Sequence, residues 1–418
     1  MAWLRMSSRV ADLEPSATVA VATRAKRLKA EGRDIIGFGA GEPDFDTPEV
    51  IKRAAIDALH AGRTKYEAAA GPKPAREAIA RKLCEDNDLP IDADGVIITS
   101  GAKAAFFQAC FALLGDPAPD GGTWEVIVPA PAWVSYAPIA RMCGGTIVEV
   151  PLLAADGFAL SPAALREAIT PRSRLLVINS PSNPCGTVMD RQRMQKIAEV
   201  VADAARAIAP HLVVITDEIY EKLIFDGMEH ASFGALPGVA DRTVTLNALS
   251  KSYAMTGWRV GYAAATGELA ETLIPGMARV QGQSVTNITS FLYPAIEAAF
   301  SEASGEIERI RATFEGRRDL VIDLLGGIDG IETARPSGAM YAFPKVASFY
   351  GGTSAGGATI HDSLGFCEAL LEEQGVAMVP GGAFGGCGDE HVRISYACSD
   401  DDIREGLRRL AVFVGGLK

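Results

Sequence analysis

The stretch Leu212-Val-Val-Ile-Thr-Asp217 is a short apolar run that ends in a carboxylate. Comparable runs occur at Glu125-Val-Ile-Val128 and at Leu175-Leu-Val-Ile178, and Gly95-Val-Ile-Ile-Thr-Ser100 precedes a helical pattern. Unbroken apolar runs of this length are typical of strands that are buried on both faces. Because helical segments such as 189–208 separate the runs, the sequence predicts an α/β fold with a mainly parallel sheet and helices on both of its faces.

Polar residues follow directly after the predicted strands. Ser100, the segment 179–183 and Asp217 all stand at the carboxyl ends of apolar runs. Ligands of open parallel sheets bind at this edge. We therefore expect the functional site to lie there.

Chain length and pattern indicate more than one domain. Single hydrophobic cores stop growing at about 250 to 300 residues, and this chain has 418. A long amphipathic helical pattern runs from Pro294 to Leu325, strand-like pieces follow at Ala339–Pro344 and Val392–Tyr396, and the Gly/Ser-rich segment 348–357 is predicted to be a surface loop. We expect an N-terminal arm over 1–13, a large domain over 48–293, and a smaller α+β domain formed by 14–47 and 294–418.

Charge and composition argue against several classes of function. A formal net charge of −12, without a run of Lys and Arg, argues against nucleic-acid binding. The start of the chain lacks a secretion signal and no apolar stretch is long enough to span a membrane, so we expect a cytoplasmic protein. The seven cysteines form no C-x-x-C pair and the five histidines show no metal-binding spacing, which predicts reduced thiols and no metal site.

Lys251 lies among small residues in Asn247-Ala-Leu-Ser-Lys251-Ser-Tyr-Ala-Met-Thr-Gly-Trp-Arg259. A lysine whose surroundings favour the neutral amine forms a Schiff base with an aldehyde. Ser250 and Arg259 are the kinds of group that a phosphate beside that lysine would require. The alternative interpretation is a solvated lysine in a loop.

Asp217 ends a predicted buried strand, where a carboxylate needs a cationic partner. A protonated pyridine nitrogen is such a partner, and Tyr220, three residues later, could donate to a ring phenolate oxygen. Alternatively, Asp217 only caps the element that follows the strand.

Three further segments indicate ligand contacts. Ser100-Gly-Ala-Lys103 follows a strand and opens a helix, so its backbone N–H groups suit a phosphate, although Ser100 could simply cap the helix. The segment Asn179-Ser-Pro-Ser-Asn183-Pro-Cys-Gly186 presents an amide on a rigid backbone, or is only a tight turn. Arg393 alternates with apolar residues in a predicted strand and offers a fork for a carboxylate, unless it faces water.

In this order, the segments resemble class I aminotransferases of fold type I, which depend on pyridoxal phosphate, and most closely the bacterial aspartate aminotransferase subgroup called one-gamma. The resemblance runs nearly end to end. Besides the Lys251, Asp217, Asn183 and Arg393 segments, it is carried by Pro15-Ser-Ala-Thr-Val-Ala20, Gly39-Ala-Gly-Glu-Pro-Asp-Phe-Asp-Thr-Pro48, Thr64-Lys-Tyr66, and Trp133 followed by Ser135-Tyr136.

The resemblance implies a role for each of these segments. Lys251 would carry the cofactor as a Schiff base and move the proton of transamination, with Asp217 at the pyridine nitrogen and Tyr220 at the ring oxygen. The remaining cofactor contacts would be Gly101, Ala102, Lys103, Trp133, Asn183, Ser250 and Arg259, with Tyr66 reaching the site of the neighbouring subunit. The substrate would bind to Arg393, Asn183, Trp133 and Gly39. A homodimer with shared active sites, acting on an amino acid and a 2-oxo acid, is therefore expected.

Departures from the family pattern fall where the substrate side chain is selected. Glu14 stands where relatives commonly have lysine, Ala132 replaces a larger residue before Trp133, and Met340 replaces an aromatic residue. Lys103, Ser16 and Thr18 could still contact a distal carboxylate. Aspartate or glutamate is the expected substrate.

Three alternatives stay open. One is an aminotransferase for an aromatic, prephenate-like or aliphatic amino acid, and another is a lyase of the same fold that eliminates from Cβ. The third is a non-catalytic regulator that carries this fold behind a DNA-binding domain. Only about fifteen residues precede the Pro15 segment, which leaves no room for such a domain, so we expect an enzyme.

Overall fold

The computed structural model of the protein describes residues 6–11, 13, 15 and 17–418. The predictions for Glu14 and Ser16 lie outside the described residues, as does much of the expected arm over 1–13.

The strands are numbered in chain order: β1 Ile36–Gly37, β2 Val96–Thr99, β3 Glu125–Ala130, β4 Thr146–Pro151, β5 Ser173–Asn179, β6 Val213–Asp217, β7 Thr243–Ala248, β8 Gly261–Ala265, β9 Tyr341–Ala342, β10 Val376–Ala377, β11 Val379–Pro380 and β12 Val392–Ser395. The α-helices are α1 Ser8–Ala11, α2 Ala17–Ala30, α3 Glu49–His60, α4 Lys73–Asn87, α5 Ala102–Leu114, α6 Tyr136–Met142, α7 Pro162–Ala168, α8 Arg191–Ala207, α9 Ile274–Ser284, α10 Tyr293–Glu302, α11 Ser304–Gly326, α12 Ser363–Gln374 and α13 Asp400–Gly415.

A seven-stranded sheet forms the centre of the fold, in the order β2-β8-β7-β6-β5-β3-β4. Strand β8 runs opposite to the other six strands of this sheet, and the prediction of a mainly parallel α/β sheet is confirmed. The register pairs Asn179 of β5 with Asp217 of β6. Two polar residues at strand ends are therefore side by side at one edge of the sheet.

The central strands are buried on both faces because helices cover both. Strands β6 and β7 are buried at every residue. Helix α8 shows how the sequence produces this packing: the Asp190 side chain accepts from the backbone N–H of Arg193 and caps its start. Met194, Ile197 and Val201 then form a buried stripe with helical spacing. Burial of such side chains stabilises the fold by about 1.5–3 kcal/mol each.

The long helix predicted over Pro294 to Leu325 is wrong in one respect, because it is two helices. Helix α10 ends at Glu302 and α11 begins at Ser304, with Ala303 between them at φ −95° and ψ 6°. Ala303 is fully buried, and the residues after it are Ser304 and Gly305. Serine and especially glycine are weaker helix formers than alanine, so a break costs little here.

Two small sheets lie outside the central one. Strands β11, β12 and β9 form an antiparallel sheet, and β1 pairs in parallel with β10. The strand-like patterns around 341 and 393 are thus confirmed as short strands. The assignment of 48–293 and of the flanking segments to two domains stays a prediction. No helix in the described ranges is long and apolar enough to cross a membrane.

Candidate active site

Most of the predicted site residues line one cavity of about 330 Å³ at the carboxyl ends of β5, β6 and β7. The predicted residues in its wall are Ala102, Lys103, Trp133, Asn183, Asp217, Tyr220, Ser250, Lys251, Arg259 and Arg393. Gly101 and Gly39 stand just behind this wall, each in contact with one of its arginines. Tyr66 is not in the cavity of its own chain, and 87% of its surface is exposed.

Lys251 extends into this cavity from the turn that follows β7. Its Nζ donates a hydrogen bond to the carbonyl oxygen of Gly41. Burial, assisted by the positive charge of Arg393, lowers the pKa of Lys251 to about 8. The amine is therefore a much better nucleophile and base near neutral pH than a solvated lysine, and the interpretation as a solvated loop residue does not fit.

Asp217 presents a buried carboxylate to the same cavity. Its Oδ2 accepts from the Tyr136 hydroxyl at 2.6 Å and its Oδ1 from the backbone N–H of Ile219 at 3.3 Å. Burial raises the pKa of Asp217 to about 6, although both hydrogen bonds act in the opposite direction. Neither hydrogen-bond partner is a cation, so this wall of the cavity favours a positively charged ligand group.

The N-terminus of α5 and Arg259 form an anion-binding corner. Gly101 precedes α5 at φ +80°, and the guanidinium of Arg259 lies so close that a Cβ on Gly101 would be 2.4 Å from Nη2. Arg259 also donates to the carbonyl oxygens of Thr256 and Ser100. The side chain of Ser100 does not cap the helix, because Gly101 occupies the cap position without a side-chain bond. The free N–H groups at the helix start thus suit a phosphate.

Trp133 and Lys103 form a further part of the wall. The Nζ of Lys103 lies 5.0 Å from the centroid of the Trp133 ring, and the Trp133 and Tyr136 rings meet edge to face at 5.1 Å. Burial, together with the charge of Arg259, lowers the pKa of Lys103. Lys103 forms no ion pair within the described part of the chain. It is available to a ligand carboxylate.

Arg393 enters the cavity from β12 and is only 2% exposed. Its Nη1 donates to the Asn183 side chain and its Nη2 to the carbonyl oxygen of Gly39, both at 2.9 Å. Its Nε, although buried, has no partner in the described structure. The guanidinium also lies over the ring of Tyr341, at 4.5 Å from its centroid. A fixed, incompletely satisfied guanidinium is a receptor for a carboxylate.

Two tyrosines of the site were missed as functional residues by the sequence reasoning. Tyr136 donates to Asp217, and the hydroxyl of Tyr341 lies 2.9 Å from that of Tyr220. Tyr136 is three residues after Trp133, whose carbonyl oxygen accepts from the Tyr136 backbone N–H at 3.1 Å, and this short spacing is the signal that could have placed both at one site. Tyr341 has no such local signal, because a separate sheet brings it to the cavity.

Two residues singled out as departures do not line this cavity. Met340 is fully buried in the hydrophobic core. Ala132 lies in the wall of a neighbouring cavity that shares Lys103 and Trp133 with the first one. An effect of Met340 on substrate choice would have to act through packing.

The expected reduced state of the cysteines agrees with the structure, in which all seven are free. One group in the described residues, Glu218, Glu221 and His230, has ligand atoms within 4.8 Å of one another. The ammonium of Lys82 already binds Glu221 there.

Comparisons with known proteins agree with this geometry. The family model described as aminotransferase class I and II matches residues 33–410. The aspartate/prephenate aminotransferase of Cereibacter sphaeroides is 42% identical over 99% of both chains. Among solved structures, aspartate aminotransferase from Rhizobium meliloti superposes with a TM-score of 0.92 at 38% identity, covering 99% of this chain and 100% of that one. Aspartate aminotransferase from Thermus thermophilus with maleate gives a TM-score of 0.88 at 38% identity, covering 98% and 99%.

Proposed function

Because the chain belongs to the class I and II aminotransferases and uses pyridoxal phosphate, we propose that Lys251 carries this cofactor and that the substrate is aspartate or glutamate. The observation that carries the proposal is the convergence of Lys251, Asp217 and Arg393 on one cavity. An amine, a buried carboxylate and a buried guanidinium are the groups needed to hold an aldehyde, a pyridinium and an amino-acid carboxylate.

The residues of the cavity fit the cofactor. Asp217 is a buried anion without a cationic partner in its hydrogen bonds, as a pyridinium requires. The start of α5, Ser250 and Arg259 would hold the phosphate, Trp133 would stack on the ring, and Asn183 and Tyr220 would face the ring oxygen. When bound, pyridoxal phosphate supplies an electron sink for the carbanion that forms at the substrate α-carbon.

Lys251 is assigned the proton transfer at that α-carbon. Its pKa of about 8 raises the neutral fraction of the amine at neutral pH by roughly three-hundredfold relative to an ordinary lysine. A base with a pKa near the working pH takes up and releases a proton most efficiently. The contact with the Gly41 carbonyl fixes where Nζ lies before the substrate arrives.

Arg393 is assigned the substrate α-carboxylate, since its Nε has no partner and its two other nitrogens are already fixed by Asn183 and Gly39. Lys103 and Thr18 line the same cavity and are assigned the distal carboxylate of an acidic substrate. The similarity to the Thermus thermophilus enzyme with maleate supports this assignment, because maleate is itself a dicarboxylate.

A second candidate substrate is prephenate, which carries a 2-oxo acid and a further carboxylate. The similarity to the aspartate/prephenate aminotransferase of Cereibacter sphaeroides favours it. The cavity next to Lys103 and Trp133, of about 490 Å³, offers room beyond the first one for a bulkier side chain.

The homodimer and the cytoplasmic location are parts of the same proposal. Tyr66 is assigned to the active site of the partner subunit, which agrees with its exposure on its own chain. The seven free cysteines agree with a reducing compartment.

The absorbance spectrum of the protein with bound cofactor provides the first test. L-aspartate, L-glutamate and an aromatic amino acid are added in turn without an acceptor. We expect the acidic amino acids to convert the cofactor to its amino form, and prephenate added afterwards to reverse the change if it is an acceptor. Release of product without conversion would indicate a lyase, and conversion only by the aromatic amino acid would contradict an acidic substrate.

Replacing Lys251 by alanine tests the covalent attachment. After reduction with borohydride, the wild-type protein is expected to retain the mass of the cofactor on Lys251, whereas K251A retains none and has no measurable turnover. Lys345→Ala, at a surface lysine paired with Glu390, is the control and should behave as the wild type. Normal turnover by K251A would refute the proposed role.

A further inference from the structure

The segment that follows β6 has two faces with different surroundings. Asp217 and Tyr220 line the cavity, whereas Glu218 and Glu221 belong to a separate buried polar network. We call Glu218, Glu221, His230, Lys82, Asn87 and Ser232 the rear network. Glu218 is 1% exposed and Lys82 is 4% exposed, so the network is as deeply buried as the cavity wall.

Glu218 is the most heavily bonded member of the rear network. Its Oε2 lies 2.8 Å from the Nε2 of His230 and accepts from the Ser232 hydroxyl at 2.5 Å. Its Oε1 accepts from Thr216 at 3.1 Å and from the backbone N–H of Phe233 at 3.3 Å. A carboxylate with this many donors is held in one orientation.

Glu221 ties the same segment to α4. The Lys82 ammonium and the Asn87 amide both contact its carboxylate, and Asn87 also donates to Ser232 at 2.7 Å. Burial by itself would raise the pKa of Glu221, but the charge of Lys82 lowers it to about 2. Despite burial, the carboxylate of Glu218 raises the pKa of His230. Two carboxylates and two cationic partners thus balance each other in charge when His230 is protonated.

The cavity face of this segment is held much more weakly. The Asp217 carboxylate has two contacts, with Tyr136 and Ile219, and Tyr220 has one hydroxyl contact, with Tyr341. Since Glu218 is covalently adjacent to Asp217 and two residues from Tyr220, its fixed carboxylate restrains the backbone that carries both side chains. The negative charge of Glu218 is a minor cause of the raised pKa of Asp217, so the support that Glu218 gives to Asp217 is geometric.

We propose that Glu218 is a positioning residue, which, anchored by His230, Ser232 and Thr216, fixes Asp217 and Tyr220 for contact with the cofactor ring. This inference rests on the proposed role of Asp217. The rear network would then orient Asp217 and Tyr220 without touching cofactor or substrate. Hydrogen bonds around a metal site orient the metal's ligands in the same way.

Glu218→Gln tests this role, because the amide removes the charge and points an NH₂ group at donors. The cofactor is removed from the full-length protein, and the dissociation constants of pyridoxal phosphate and of inorganic phosphate are measured. We expect E218Q to weaken cofactor binding by about tenfold. Binding of inorganic phosphate should be unchanged, because phosphate is held by the anion-binding corner that the N-terminus of α5 and Arg259 form. A merely structural role would change both affinities or neither.

Two controls separate the possible explanations. Glu125→Gln replaces another buried carboxylate, bonded to Thr170 at the far end of the sheet, and is expected to alter only the melting temperature. In a D217N background, E218Q should cause a clearly smaller loss of cofactor affinity than in the wild type, because only its effect through Tyr220 remains. If E218Q does not fold, Ser232→Ala removes one donor and is expected to give a smaller loss of the same kind.

The outcomes distinguish this inference from the proposed function. If D217N leaves cofactor affinity unchanged, the role of Asp217 itself is wrong. If D217N weakens binding but E218Q and S232A do not, only the positioning role is overturned. An equal loss caused by E218Q in the wild-type and D217N backgrounds would likewise overturn it.

Discussion

At the scale of single residues, the site depends on charges that the fold has deprived of water. Arg393 is nearly inaccessible, and its fork is held by Asn183 and Gly39. Its value to a substrate carboxylate lies in that fixed geometry as much as in its charge. A lysine at the same position keeps the charge but loses the fork.

Arg393→Lys is therefore expected to raise KM for the amino acid by at least about thirtyfold, with a smaller change in kcat. The measurement is steady-state kinetics with varied amino acid. Arg318→Lys is the matched control, since Arg318 is also fully buried and forks onto a carboxylate, that of Asp226, away from the cavity. An unchanged KM in R393K would contradict the assignment of the carboxylate to Arg393.

Asp217 links the site to the stability of the cofactor-free protein. Its pKa is raised from 3.8 to about 6 by burial, so between these values the native state binds more protons than the unfolded state. The contribution of Asp217 to the free energy of unfolding therefore falls as the pH rises from about 4 to about 6, by about 3 kcal/mol, and does not recover above that range.

We expect Asp217→Asn to remove this loss, because asparagine is neutral and its Oδ1 can still accept from Tyr136. Without cofactor, the variant should unfold at a higher temperature than the wild type above about pH 6 and at the same temperature near pH 4. Calorimetry of both proteins across this pH range measures the difference. If the wild type were more stable than D217N above pH 6, the ionised carboxylate of Asp217 would not lower the free energy of unfolding, and the prediction would be wrong.

At the scale of elements, local patterns in the sequence predicted the site residues that lie at the ends of strands. Asp217 ends an apolar run and Asn183 lies in the segment after one, and parallel strands bring such positions to one edge. Lys251 was singled out by the small residues around it, and β7, which precedes it, was not among the predicted runs. The contact of Tyr341 with Tyr220 arises between two separate sheets, and no local spacing encodes it. The break between α10 and α11 was missed for the same reason, since Ala303 is a good helix former whose geometry is set by its burial.

The start of α5 has a backbone geometry that only glycine fits without displacing a neighbour. Gly101 has φ +80°, and a Cβ there would meet Nη2 of Arg259 at 2.4 Å. Gly101→Ala should therefore displace Arg259 and weaken binding of both pyridoxal phosphate and inorganic phosphate by at least about tenfold. Both affinities are measured on the cofactor-free protein by titration.

Gly157→Ala is a control for the cost of a positive φ without a collision. Gly157 has φ +62° and nothing within 4 Å of a Cβ at that position, and its ψ is 28° where that of Gly101 is 163°. The control is expected to lose about 1 kcal/mol of stability and to bind both ligands normally. If G101A and G157A bind phosphate equally well, the corner formed by α5 and Arg259 is not the phosphate site.

At the scale of the whole molecule, the position of Tyr66 bears on the assembly. It is a large aromatic residue that is 87% exposed, and it lies outside the cavity of its own chain. Single exposed aromatic residues are common on protein surfaces, so the assignment of Tyr66 to a partner's site rests on the family resemblance and is consistent with this exposure. If the partner's site needs Tyr66, each active site draws Lys251 from one chain and Tyr66 from the other.

Shared sites predict that two defective chains restore each other. When Lys251→Ala and Tyr66→Ala are co-expressed with different tags, half of the dimers are hybrids, and each hybrid has one complete site. Activity of the mixture should thus reach about a quarter of that of the wild type. Lys251→Ala paired with Arg393→Ala is the matched control: both residues line the cavity of one chain, so neither site of that hybrid is complete. No recovery in the test pair, despite hybrid dimers isolated through both tags, would mean that Tyr66 does not serve the partner's site. Recovery in the control pair would mean that Lys251 and Arg393 of one chain do not act in the same site.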